Sequence, residues 1–133
     1  PQVFDESKVP CLMAMYEDST TQRVRSIALL DIYAACVYAS ASAKINKAQL
    51  LRCIRTQTID KAITDACQKV LADSALAFVD YKTKKSLRFK TVSFIPHGFK
   101  KLEALYATEE KKRIDFSVQY KDLALGTVTL VGF

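Results

Sequence analysis

Seven basic residues and no acid stand within residues 81–102: Lys82, Lys84, Lys85, Arg88, Lys90, Lys100 and Lys101. Tyr81, Phe89, Phe94 and Phe99 are interleaved with them. The chemistry open to such a run is binding. Ammonium and guanidinium groups neutralise phosphates and release their counterions, so the stretch is expected to attract nucleic acid or the anionic face of a membrane.

The residue types that carry covalent or acid–base chemistry are present without a supporting pattern. The single histidine, His97, lies between Pro96 and Gly98, with no acid or cysteine beside it. A loop histidine can move protons, but one imidazole alone does not make a metal site. Cys11, Cys36, Cys53 and Cys67 are dispersed, with no CxxC spacing, and are expected to be reduced, buried thiols. Three glycines, Gly98, Gly126 and Gly132, cannot form a glycine-rich phosphate loop. The acid pairs Glu17-Asp18 and Glu109-Glu110 lie in polar stretches, where paired catalytic carboxylates would need a cleft. The expectation is no catalytic residue, no metal and no cofactor, and so no enzyme.

Composition places these groups on one ordinary globular domain spanning residues 1–133. Half the residues are apolar, 26% are charged, and mean hydropathy is +0.02. The formal charge of +6 is unevenly spread. Residues 1–73 hold nine basic against eight acidic residues, and residues 74–133 hold eleven against six. A polyanion would be met by the second part. Residues 1–8 are polar and do not read as a leader. Residues 26–43 are the nearest thing to a membrane span, but Asp31 at their centre would cost about 2.5–3.5 kcal/mol in lipid. An intracellular, soluble protein of the cytoplasm or nucleus is expected.

The elements that must position the basic run follow from periodicity. Residues 9–16 are apolar and predict a strand that Pro10 either begins or confines to an edge. Ser19 and Gln22 have capping-box spacing, and Val24, Ile27, Leu30, Ala34, Val37 and Tyr38 recur at helical intervals, which predicts a long helix. Asn46 caps a second helix over 47–55. Thr56 or Thr58 caps a third over 59–72, with Ile59, Ile63, Ala66, Cys67, Val70 and Leu71 facing inward. Strands are expected over 75–81, 87–95, 114–121 and 127–133, with residues 82–86 as a hairpin loop and a helix over 99–112. On residues 87–90, Leu87 and Phe89 take one strand face while Arg88 and Lys90 take the other. The fold class is therefore α+β: three main helices packed against a mainly antiparallel sheet.

Over residues 20–95 the order of a long helix, a short helix, a three-residue break, a third helix and a basic hairpin resembles the winged helix-turn-helix architecture. That resemblance implies a third helix in the major groove and a wing on phosphate. The wing would be residues 80–90, with Lys82, Lys84, Lys85, Arg88 and Lys90 on backbone phosphates. The third helix would offer Thr58, Lys61, Thr64, Gln68 and Lys69. Asp60, Asp65 and Asp73 lie on or beside that outer face and would repel phosphate. The functional expectation is a nucleic-acid-binding protein, for DNA or RNA. The alternative is a structural assembly protein of viral matrix or capsid-associated type. It would lay the same basic face on acidic membrane or ribonucleoprotein and form homo-oligomers through apolar edges such as residues 127–133.

Overall fold

The first two strands, β1 (Cys11–Asp18) and β2 (Val24–Asp31), form an antiparallel hairpin in the computed structural model, which describes residues 10–74, 87–96, 112–119 and 126–132. Three helices follow: α1 (Ile32–Ala39), α2 (Lys47–Thr56) and α3 (Lys61–Asp73). Then come β3 (Leu87–Ile95), β4 (Lys112–Val118) and β5 (Gly126–Gly132). The strands make one sheet in the order β3-β1-β2-β5-β4, with every neighbouring pair antiparallel. The α+β class is as expected. The expected strand over 75–81, the turn over 82–86 and, apart from Lys112, the helix over 99–112 lie outside the described residues.

The long helix expected after Ser19 is corrected. Its first half is strand β2, and only its last eight residues are helix. The chain reverses at the position of the expected capping box. Asp18 Oδ1 accepts from the backbone N–H of Thr20 (2.7 Å) and Thr21 (2.9 Å), and Gln22 takes a left-handed backbone with φ 62°. The reason is burial on both sides of the sheet. Ile27 and Leu29 fill one face of β2, Ala28 and Leu30 the other, and all four are buried. A strand buried on both faces has no polar alternation, so its apolar spacing reads like a buried helix.

The helix proper starts at Asp31, with no loop between β2 and α1. Asp31 Oδ1 accepts from Ala34 N–H at 2.8 Å as the N-cap, and Oδ2 accepts from Thr127 N–H at 3.1 Å, which ties β5 to the helix start. The approach is close enough to require glycine at 126, because a Cβ there would lie 2.2 Å from the Ala34 nitrogen. α2 starts at the expected cap, Asn46, and Gln49 completes a capping box with it, which goes beyond that expectation. α3 is capped by Asp60 rather than by Thr56 or Thr58, with Asp60 Oδ1 accepting from Ile63 N–H at 2.9 Å.

The helices form a layer on one face of the sheet. Leu12, Ala14, Tyr16, Ala28, Leu30 and Val128 meet Ala35, Cys36, Ile63, Cys67 and Leu71 there in one buried cluster. Cys11, Met13, Ile27, Leu29, Ile95 and Val131 form a second buried cluster on the other face. Tyr16 locks the two layers together. Its ring sits edge-on to Phe89 with centroids 5.9 Å apart, and its hydroxyl donates to Leu71 O at 2.9 Å. Strand β5 lies between β2 and β4, so residues 127–132, the described part of the apolar edge expected over 127–133, lie inside the sheet. The strand at that end of the order is β4.

Candidate functional site

β3 positions the two described cations of the basic run as its sequence alternation requires. Leu87 and Phe89 join the cluster under the helices, so Arg88 points from the opposite sheet face. Between Met15 and Tyr16 the β1–β3 register shifts: Met15 pairs with Thr91 and Tyr16 with Phe89, passing over Lys90. Such a bulge re-aims side chains. Arg88 and Lys90 are brought together on one carboxylate. Arg88 Nε and Nη2 donate to Glu17 Oε1 at 3.1 and 2.5 Å, and Lys90 Nζ lies 3.8 Å from Glu17 Oε2. The Arg88 and Lys90 side chains are 52% and 45% exposed, while that of Glu17 is 9% exposed. Lys82, Lys84 and Lys85 lie outside the described residues.

The α3 cations sit elsewhere. α3 turns Ile63, Cys67 and Leu71 inward, which leaves Lys61 and Lys69 exposed on the outside of the helical layer. Lys61 Nζ holds Asp65 Oδ2 at 2.9 Å. Lys69 lines an open surface cavity of about 400 Å³ with Ser42, Lys44, Ile45, Ala62, Asp65 and Ala66. Thr64 Oγ1 donates to Asp60 O at 2.9 Å, and Thr58 Oγ1 is 2.7 Å from Thr56 Oγ1. Asp60 also takes Arg52 Nη2 at 3.0 Å. Lys61 and Lys69 therefore lie on one side of the two-layer structure and Arg88 and Lys90 on the other, so a third helix and a basic strand do not share one surface.

Three cysteines that the sequence scatters converge inside the helical layer, one from each helix. Cys67 Sγ donates to Ala35 O at 3.1 Å and Cys36 Sγ to Leu50 O at 3.7 Å. Burial first, and neighbouring thiols second (Cys53 for Cys36; Cys36 and Cys53 for Cys67), push the Cys36 and Cys67 thiols up to about 12. Burial likewise raises Cys53, and on the other sheet face it takes Cys11 to about 12. All four are free and buried, and a thiol held protonated at neutral pH is a poor nucleophile. His97 lies outside the described residues.

Two further features are not apparent from the sequence. Glu17 reads there as part of a solvated acid pair, yet it is the buried partner of the basic strand. Ile114 and Phe116 on β4 are exposed at 63% and 38%, although they share a strand face with Val118, which packs on the core. Among the described residues no helix is long and apolar enough to cross a membrane, and residues 26–43 are divided among β2, α1 and the turn after it. No protein-family model, curated protein or solved structure matches the chain, so a functional reading rests on these side chains alone.

Proposed function

We propose that the protein is a non-enzymatic nucleic-acid-binding protein that meets phosphate with the basic face of β3 and the lysine run leading into it. The observation that carries the reading is the side-by-side exposure of Arg88 and Lys90 on one sheet face, directly after Lys82, Lys84 and Lys85 in the chain. The four buried thiols support an intracellular setting, cytoplasm or nucleus, where cysteines stay reduced. The test is fluorescence anisotropy with labelled duplex DNA and single-stranded RNA across a salt series. A steep fall in affinity with salt supports the reading, and binding that is absent at low salt for both probes removes it.

The exposed pair Ile114 and Phe116 favours a second reading, a structural assembly protein of viral matrix or capsid-associated type. It would self-associate and lay its basic face on acidic membrane or ribonucleoprotein. Sedimentation that stays monomeric at high concentration, with no flotation on anionic liposomes, would count against it.

A further inference from the structure

We propose that Glu17 is a built-in counter-ion that limits how tightly the β3 face holds a polyanion. The inference rests on the nucleic-acid reading above and concerns the same face. Two cations converge on one carboxylate, so the Arg88–Lys90–Glu17 cluster carries a net charge of one rather than two. Glu17 is held in place by irregularities on both sides of β1. The register with β3 passes over Lys90, and the register with β2 shifts between Tyr16 and Glu17, passing over Arg25. Such shifts fix where a side chain points. The carboxylate is nearly closed off from water while its partners are about half open, so it cannot swing away when a phosphate arrives. Arg88 commits Nε and Nη2 to Glu17. An incoming phosphodiester must share the remaining donors and approach a fixed negative charge. Salt alone does not displace this competitor, because a partly buried pair is screened less than a fully exposed one.

Neutralising Glu17 should therefore tighten binding. In Glu17→Gln the amide keeps the shape of the carboxylate, and Arg88 keeps its solvent exposure. One added phosphate contact steepens the log–log salt slope by about 0.9 on duplex DNA, which is roughly eightfold in affinity at 0.1 M salt. Glu17→Asp retains the charge and should bind as the wild type does. Glu17→Met removes the charge with an apolar side chain suited to a buried position, and it serves if the glutamine variant does not fold. The experiment is an anisotropy salt titration of the wild type and these variants on one duplex, with melting curves alongside. Tighter binding and a steeper slope in a folded charge-removed variant support the proposal. A wild type that binds, with variants equal to it or weaker, overturns the proposal and leaves the nucleic-acid reading standing. A wild type that shows no binding removes both.

Discussion

On α3, Lys61 holds Asp65, a carboxylate whose side chain is 58% exposed; on β3, Arg88 holds Glu17, which is 9% exposed. Both are close ion pairs, but they differ in what a polyanion would meet. The helix pair is an i,i+4 surface pair, worth about 0.3–0.5 kcal/mol and screened by salt, so either partner lets go at little cost. The strand pair has one end anchored in the protein and the other in solvent. Lys61 behaves as a loosely held cation, while Arg88 is a fixed donor with part of its charge already neutralised. Counting basic residues therefore overstates one face and misplaces the other.

The largest expected effect comes from the frame that keeps the two faces apart. Gly126→Ala drives a methyl group into the Ala34 backbone where β5 meets α1, and should destabilise the fold by about 3 kcal/mol or more. A melting temperature within a degree or two of wild type would mean that this junction does not fix the sheet against the helices.

The thiols inside the helical layer give a pH test of the same frame. Cys36 and Cys67 are pushed up to about 12 from the ordinary value of 9.0, and burial raises Cys53 in the same direction. Between those values the unfolded chain loses protons that the native chain keeps, so stability is complete below about pH 9 and falls as pH rises toward 12. Melting temperature measured from pH 8 to 11 should decline, and Cys67→Ala should flatten the decline. Rapid modification of native Cys36 or Cys67 by a thiol reagent at pH 8 would contradict their enclosure.

Within β3 itself, packing and charge should separate. Phe89 is half-buried against Tyr16, so Phe89→Ala should cost about 2 kcal/mol, less than the 3–5 typical of a fully buried ring, as read by denaturant unfolding. Lys61→Ala should change stability by less than about 0.5 kcal/mol, the smallest effect of the set. A larger effect would mean that the helix face is as structurally committed as the strand face.

Local signals in the chain are legible where one face of an element meets water. α2 is readable from Asn46 and its polar side, and β3 from the alternation of Leu87 and Phe89 with Arg88 and Lys90. β2 is not, because burial on both faces erases the alternation that distinguishes a strand. The cap of α3 reads as one of two threonines, although the side chain of Asp60 is an equally good acceptor and is the one used. The Glu17–Arg88 pair joins residues 71 positions apart, so only the β1–β3 register reveals it. The meeting of Cys36, Cys53 and Cys67 likewise depends on how three helices pack, which no spacing in the sequence encodes.

The central proposal is that phosphate is met by β3 and the lysine run that precedes it in the chain, and not by the outer face of α3. The direct measurement is a salt titration of duplex binding for wild type, Lys84→Ala with Lys85→Ala, and Lys61→Ala with Lys69→Ala. Each phosphate that a variant no longer neutralises lowers the slope by about 0.9. The account predicts that the first double variant binds more weakly, with a slope shallower by about 1.8, while melting as the wild type does, and that the second keeps both affinity and slope. An unchanged slope in the Lys84 and Lys85 variant, or weakening confined to the Lys61 and Lys69 variant, would contradict it.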